Sequence, residues 1–144
     1  MELLVVRYLS IGNIQLGQSV DQVRSNCFLR GERPELTDEF TDFFDEPVVH
    51  VAYENRKVVF IGVSPPGLAK YQHFQLLELT FGEIDKLFAP KDHNVYVEED
   101  HSILYLDTGL CFYSDEMEET NKPQEVGVFV HGYYDSLLGN YQKR

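Results

Sequence analysis

The chain has 144 residues and is strongly acidic, with 24 Asp and Glu against 12 Lys and Arg and a formal charge of −12. This charge argues against nucleic acid or an anionic membrane as a ligand, because both require a basic footprint. The length predicts one domain, 1–144, with one core, and the 10 Phe and 9 Tyr suit a sheet-rich fold.

Nothing in the sequence predicts export or a membrane span. The longest apolar run, Lys57–Val63, is far shorter than the about 20 residues that cross a bilayer. The N-terminus carries Glu2 and lacks a basic region and a small-residue cleavage site, so we expect a cytoplasmic protein. Cys27 and Cys111 lie outside any zinc-ligand spacing and are expected to be buried, reduced side chains.

The first predicted element is a short helix after Ser19. Ser19 and Gln22 form a capping box, in which the hydroxyl accepts from the amide three residues on and the Gln side chain reaches back. An acidic segment follows at 32–46, where the apolar residues have the spacing of a helix-like pair of turns; they are Leu36, Phe40, Phe43 and Phe44. We expect these phenylalanines to enter the core while the acids face water.

Two strands are predicted next, at 48–54 and 57–63. Both are rich in β-branched and aromatic residues, and Asn55–Arg56 between them is expected to form a tight hairpin. The stretch 64–72 is predicted to be a linker, because prolines end a strand and the glycine of Pro65-Pro66-Gly67 frees the chain to turn.

A second capping box, Thr80 with Glu83, predicts another short helix, which Pro90 closes. Alternating and apolar runs then predict four more strands, at 94–99, 102–107, 109–115 and 125–134. The fold class expected from this order is α+β, an antiparallel sheet with short helices packed on one face.

The two halves of the chain resemble each other. Superposing Ser19 on Thr80 also lays the strand at 48–53 on residues 109–114, so each half reads as a helix followed by antiparallel strands. This predicts a degenerate tandem repeat with halves of about 1–65 and 70–144. The alternative is a coincidence of two capping boxes that happen to precede hairpins.

The stretch IGNIQLGQSVDQVRSN, residues 11–26, resembles the Leu-Gly-x-Ser/Thr helix opening of several small bacterial proteins. It matches through Ile14, Leu16, Gly17, Ser19 and Val23, with Gln18 where Met is usual. Such openings occur in modules similar to outer-membrane-assembly lipoproteins, in folds like the β-lactamase inhibitor protein, and in small proteins encoded beside toxins. The resemblance implies helices on an antiparallel sheet, and the missing export signal fits the lipoproteins worst.

No motif for catalysis or for a cofactor is present. The five histidines form no H-x-x-x-H pair, and nucleophile-elbow, phosphate-loop and dinucleotide patterns are absent. His93 and His101 could meet across a hairpin and bind a divalent metal with Glu98, Glu99 and Asp100, but the residue order of a calcium-binding loop is missing. We therefore expect no enzyme, no cofactor and no metal, while an enzyme that uses His50 or His131 with a carboxylate stays open.

The acids are concentrated in two segments, 32–46 and 98–119, and the second contains no Lys or Arg. The alternative to a functional role is a solvated surface that keeps the protein soluble. The nearby tyrosines are candidate anchors, since Tyr is enriched in interfaces. The predicted partner-binding residues are Asp42, Asp45, Glu46, Tyr96, Glu98, Glu99, Asp100, Tyr105, Asp107, Tyr113, Asp115, Glu116, Glu118 and Glu119.

Acidity, small size and the absence of catalytic motifs give the chain its closest resemblance to an immunity protein of contact-dependent inhibition or another polymorphic toxin system. That resemblance implies one-to-one binding of a basic toxin domain, with a nuclease favoured, by an acidic surface that covers its active site or substrate groove. No nucleic acid or membrane partner is expected. The alternative is an adaptor for a small ligand or a protein, with a tyrosine-lined pocket on the sheet and no toxin involved.

Overall fold

The computed structural model describes residues 2–25, 39–45, 47–99 and 101–144. The regular structure of this part of the chain is mainly antiparallel sheet with a few short helices, so the α+β class is confirmed. The strands, in chain order, are β1 Glu2–Val6, β2 Ser10–Ile11, β3 Ile14–Gln15, β4 Glu39–Asp45, β5 Val48–Glu54, β6 Lys57–Val63, β7 Leu68–Tyr71, β8 Phe74–Gln75, β9 Val95–Glu98, β10 Ser102–Tyr105, β11 Leu110–Tyr113, β12 Glu125–Phe129 and β13 Gln142–Lys143.

Two α-helices accompany these strands, α1 Val20–Arg24 and α2 Phe81–Phe88. Single turns of 3₁₀-helix lie at Leu76–Glu78, Ala89–Lys91 and Leu138–Asn140. In the described part of the chain, none of these helices has the length and apolar character needed to cross a membrane.

The larger sheet, here called the main sheet, contains eight strands in the order β13-β9-β10-β11-β12-β6-β5-β4. Every neighbouring pair in it is antiparallel. The run β4-β5-β6 and the run β9-β10-β11-β12 are each built from sequential neighbours, and they join where β6 pairs with β12. The main sheet is therefore continuous across the middle of the chain.

The smaller sheet has the order β3-β2-β1-β7-β8, and in it β1 and β7 run parallel. Its turn at residues 7–9 contacts the main sheet through Tyr8, whose hydroxyl donates to the carbonyl of Leu106. Gly109 is required at this contact, because a Cβ there would lie 2.5 Å from the Tyr8 ring. The small sheet is thus held against the turn that follows β10.

The two faces of the main sheet bury different sets of side chains. On the core face, one cross-strand row is fully or almost fully buried; it contains Val51, Ile61, Val128, Leu110, Tyr105 and Val95. The same apolar cluster includes Val20 and Val23 of α1 and Ile84 of α2. The second face carries a smaller aromatic cluster around Phe60 and Phe129, which the segment after β12 partly covers with tyrosines.

Both predicted capping boxes are present. The Ser19 hydroxyl accepts from the Gln22 amide at 3.2 Å, and Gln22 Oε1 accepts from the Ser19 amide at 2.8 Å. The Thr80 hydroxyl accepts from the Glu83 amide at 3.2 Å, and Glu83 Oε1 accepts from the Thr80 amide at 3.1 Å. These bonds satisfy amides that have no partner within the helix.

The hairpin prediction is also confirmed. Asn55 and Arg56 have φ angles of 51° and 62°, as the two-residue turn with both central residues left-handed requires. The flanking strands β5 and β6 have the predicted bounds.

Two predictions about local structure are wrong. The segment with Phe40, Phe43 and Phe44 is not helix-like: it forms β4, in which Asp42 and Phe44 face the core while Phe43 and Asp45 face outward. Pairing with all seven residues of β5 outweighs the helical spacing, and Leu36 lies outside the described residues. The stretch 64–72 is not only a linker, because Leu68–Tyr71 pairs with β1.

The C-terminal residues hold β13 and α2 together. The Arg144 guanidinium binds both carboxylate oxygens of Asp85, at 2.8 and 2.7 Å, and the buried Tyr105 hydroxyl donates to the same carboxylate at 2.9 Å. The Arg144 guanidinium, followed by the Tyr105 hydroxyl, lowers the pKa of Asp85 against the opposing effect of its partial burial. This cluster connects the sheet edge to the helix.

We predict that Thr80→Ala lowers the free energy of unfolding by about 1 kcal/mol, because it removes one side of the capping box of α2. Thr120→Ala, at an exposed position, is the matched control and is expected to change it little. Urea denaturation followed by circular dichroism measures both. Equal effects of the two variants would contradict the assigned role of the box.

We also predict that Arg144→Gln lowers the free energy of unfolding at neutral pH. The difference from the wild type should become smaller in acid. A carboxylate with a lowered folded-state pKa stabilises the protein above its unfolded pKa, 3.8 for Asp85, and this contribution is lost as the pH falls through the folded value. Denaturation curves from pH 7 to pH 2 measure the difference. A difference that is independent of pH would contradict the assigned linkage.

Candidate partner-binding surface

Four of the predicted partner-binding acids line one cavity, here called the acidic groove: Glu98, Glu99, Asp115 and Glu116. Its volume is about 760 Å³, and its remaining lining residues are Val97, His101, Gly139, Asn140, Tyr141 and Gln142. The acids come from the end of β9, the turn after it and the loop after β11. Two chain segments that are separate in the sequence therefore contribute to one surface.

The register of the main sheet brings these segments together. Glu98 pairs with Ser102 across β9 and β10, and Ser102 pairs with Tyr113 across β10 and β11. The loop after β11 consequently begins beside the β9–β10 turn, and the Ser114 amide donates to the His101 carbonyl at 2.8 Å.

Hydrogen bonds hold the acidic loop in place. The Ser114 hydroxyl accepts from the Glu116 amide at 3.2 Å, and the Asp115 amide donates to Gln124 Oε1 at 2.6 Å. The Tyr113 hydroxyl donates to Asp115 Oδ1 at 2.7 Å, and this bond raises the pKa of Tyr113. A structured loop loses less conformational entropy on binding than a mobile one.

The groove acids have no cationic partner within the described chain. Its ion pairs are Arg24–Asp42, His50–Glu125, Lys70–Glu2 and Arg144–Asp85. None of these includes a groove acid, and no Lys or Arg is among the lining residues. The negative field of the groove is therefore not neutralised by ion pairs in this part of the protein.

Glu118 and Glu119 lie in a neighbouring cavity of about 300 Å³ rather than in the groove. Lys86 and Arg144 line the same cavity, so its charge is mixed. The Glu119 carbonyl also accepts from the Gly82 amide at 2.9 Å, which ties this loop to the start of α2. Both glutamates are exposed, but they contribute to a less uniform field.

Two predicted partner-binding residues are buried, and their prediction is wrong. Asp42 is 1% exposed; its oxygens accept from the Arg24 guanidinium at 3.0 and 2.7 Å, and Oδ2 also accepts from the Tyr53 hydroxyl at 2.9 Å. Tyr105 is fully buried beside Asp85. The sequence could not separate these two from exposed acids and tyrosines because the burial of a strand residue depends on which face packs.

Asp107 is exposed, but its carboxylate already accepts hydrogen bonds within the chain. Its carboxylate accepts from the Asn94 side chain at 2.6 Å and from the His93 amide at 2.7 Å, and these bonds lower its pKa. It lines a separate cavity of about 330 Å³ together with Arg7 and Lys91. Asp107 braces a turn rather than extending the groove.

The remaining predicted residues have mixed placements. Tyr113 is 42% exposed beside the groove, whereas Tyr96 is half-buried in the aromatic cluster of the second face. Asp45 is exposed at the end of β4. Glu46 and Asp100 lie outside the described residues.

Sequence reasoning missed one pairing, between His50 and Glu125. His50 Nδ1 lies 2.7 Å from Glu125 Oε2, across the strand that contains Gly62. A Cβ on Gly62 would lie 2.7 Å from the His50 ring and 2.8 Å from the Glu125 carboxyl carbon. The sequence signal for this pairing is Gly62 itself. A glycine within a strand rich in β-branched residues often marks the close approach of another group.

Within the described part of the chain, the other histidines form no metal site. The described residues contain no group of three His, Cys, Asp or Glu side chains that could hold a metal ion. His101 lines the groove, and His131 stacks on Tyr8 with 3.7 Å between ring centroids.

The aromatic side chains of the second face pack against one another. Tyr134 contacts Phe129 and Tyr133 edge-on, with centroids 4.9 and 5.0 Å apart, and its hydroxyl donates to Cys111 Sγ at 3.4 Å. Cys111 is a free, buried cysteine, as expected, and burial raises its pKa to about 12. Cys27 lies outside the described residues. These tyrosines contact one another.

Comparison with known proteins finds no family, no curated protein and no solved structure that matches the chain.

We predict that Asp42→Ala lowers the free energy of unfolding by about 3 kcal/mol or more, because it leaves the nearly buried Arg24 guanidinium without its counter-charge. Asp45→Ala on the same strand is the matched control, and its effect should stay within about 0.5 kcal/mol. Urea denaturation compares the two. Similar losses of unfolding free energy in the two variants would contradict the assignment of Asp42 as a structural carboxylate and Asp45 as an exposed one.

Proposed function

We propose that this chain is an immunity protein that binds a basic toxin domain in the cytoplasm and blocks its active site or substrate groove. One observation carries the proposal: acids from two chain segments converge on the acidic groove, which has no Lys or Arg among its lining residues. The acids with clear structural roles, such as Asp42 and Asp85, are ion-paired elsewhere. The groove acids form no ion pair within the described residues, so their charge is available to an external cation.

A cationic partner suits this arrangement for two physical reasons. Complementary fields accelerate encounter, and they orient the partner before contact. A nuclease attracts phosphate with Lys and Arg, so an inhibitor with clustered carboxylates uses the field that the toxin already has. We therefore favour a nuclease domain bound one-to-one, with association that slows as salt increases.

The alternative is an adaptor module without a toxin. Its small-ligand form is less well supported, because the tyrosines of the second face pack against one another. Its protein-binding form would use the same groove for a harmless basic protein. Rescue of cell growth separates a toxin partner from a harmless one.

We also infer that the halves of about 1–65 and 70–144 are diverged copies of one unit whose helices cover the same face. Each capping box begins a short helix that an antiparallel run of strands follows, β4–β6 after α1 and β9–β12 after α2. The last strand of each run meets the other at the β6–β12 pair. Chance remains the alternative, and close relatives with more similar halves would exclude it.

The proposal predicts that reversing the groove charges weakens binding and abolishes protection. The variants are Glu98→Lys with Glu99→Lys, and Asp115→Lys with Glu116→Lys. The partner is sought among proteins encoded beside this chain and by capture at low salt from the encoding organism. It is then co-expressed with each variant, and binding kinetics are measured.

We expect about a tenfold or larger fall in association rate for each groove variant, with loss of growth rescue. The control, Glu54→Lys with Glu78→Lys, changes the net charge equally at two exposed positions outside the groove and should retain rescue. Unchanged kinetics in the groove variants would show that the groove is not the interface. A partner that does not inhibit growth would favour the adaptor.

A further inference from the structure

The acidic groove is one end of a longer row of side chains on the second face. Glu98, Ser102, Tyr113 and Glu125 are successive cross-strand partners on β9, β10, β11 and β12. At the same end of the sheet, Val48 of β5 pairs with Asp45 of β4. These six residues are the first or last of their strands, and we call them the terminal row.

Alternation along each strand places the terminal row on the second face. Neighbours of the row, such as Phe44, Phe112 and Val126, belong to the buried core cluster, so the row itself points the other way. The aromatic cluster around Phe60 lies further along the strands. The row therefore runs beside the part of this face that the segment after β12 covers.

Two large side chains of this face are exposed, one in the terminal row and one beside it. Tyr113 is 42% exposed, and Phe43, the outward neighbour of Asp45 on β4, is 63% exposed. His50 connects them: its ring lies 5.7 Å from that of Phe43, and its Nδ1 contacts Glu125 of the row. Acidic and aromatic side chains thus occur together on this face from the groove to the edge strand β4.

The length of this surface suits an extended segment of a protein. From β9 to β4 the row crosses seven neighbouring strands, which corresponds to about 30 Å at about 4.8 Å between strands. An extended chain of about nine residues covers that distance.

We propose that the terminal row with Phe43 is the docking surface for an extended segment of the partner that alternates Arg or Lys with apolar residues. The proposal rests on the proposed function and deepens it, because it specifies the partner's contacting segment. Cations of the segment would contact the groove acids at one end and Asp45 at the other. Its apolar residues would pack on Tyr113 and Phe43, which also offer ring faces to guanidinium groups.

The negative charge of the surface favours a cationic segment over a second copy of the chain, a membrane or a nucleic acid. A second copy of the chain carries the same charge of −12 and would place acids against acids. Glu98, Glu125 and Asp45 would oppose an anionic membrane or nucleic acid. A cationic polypeptide satisfies both the acids and the rings.

The test uses two blocked synthetic peptides of about ten residues. One alternates Arg with Gly and the other alternates Arg with Leu, so they differ only in the apolar positions. Isothermal titration at low salt measures their affinities for the full chain, and NMR spectra of the labelled protein locate them. The variants are Phe43→Ala, Tyr113→Ala and Glu98→Lys with Glu99→Lys.

We expect the Arg-Leu peptide to bind about tenfold more tightly than the Arg-Gly peptide and to shift signals of Tyr113 and Phe43. Phe43→Ala and Tyr113→Ala should each remove most of that difference, with a smaller loss of Arg-Gly affinity because the ring faces also contact the guanidinium groups. Leu9→Ala, which truncates an exposed apolar residue on the small sheet, is the matched control and should keep the difference.

The outcomes separate this proposal from the proposed function. Equal affinities, or a difference that survives both aromatic variants, overturn the docking surface while binding that depends on the groove acids still supports a basic partner. Binding of both peptides that survives Glu98→Lys with Glu99→Lys overturns both proposals. Failure of both peptides to bind at low salt also overturns the docking surface.

Discussion

The pairing of β6 with β12 is the constraint on which the rest of the structure depends. It joins two antiparallel runs, one from each half of the chain, into a single sheet. Gly62 and Gly127 lie opposite each other in this pair. A Cβ on Gly62 would meet His50 and Glu125, and a Cβ on Gly127 would meet Phe60 and Cys111. Two larger side chains there would compete for the same volume, since interiors are close-packed.

The same pairing determines where the charges lie. Without it, the exposed end of β4 and the acids after β9 and β11 would belong to separate sheets with no common face. With it, all of these strand ends lie along one edge of one surface. A field that extends over several strands can orient a partner better than isolated charges can. The fold thus places acids from separate segments of the chain on one surface.

Much of the local structure could be predicted from the sequence. The capping boxes at Ser19 and Thr80 and the hairpin at Asn55–Arg56 are confirmed because the atoms involved are within a few residues of one another. The helix-like prediction for the segment around Phe43 is wrong because its apolar spacing fits either a helix or a strand, and the pairing with β5 decides between them. The strand at Leu68–Tyr71 was missed because its partner is the N-terminal strand β1.

The sequence by itself determined the acidity, the two capped helices, the central hairpin and the candidate acids of the groove. It determined them because composition and short-range hydrogen bonding do not depend on distant parts of the chain. Only the tertiary structure decided that Asp42 and Tyr105 are buried, that Asp107 braces a turn, and that Glu98 and Asp115 share one cavity. The reason is that burial and proximity of strand residues follow from which strands pair and which face packs, and those choices are made between residues far apart in the chain.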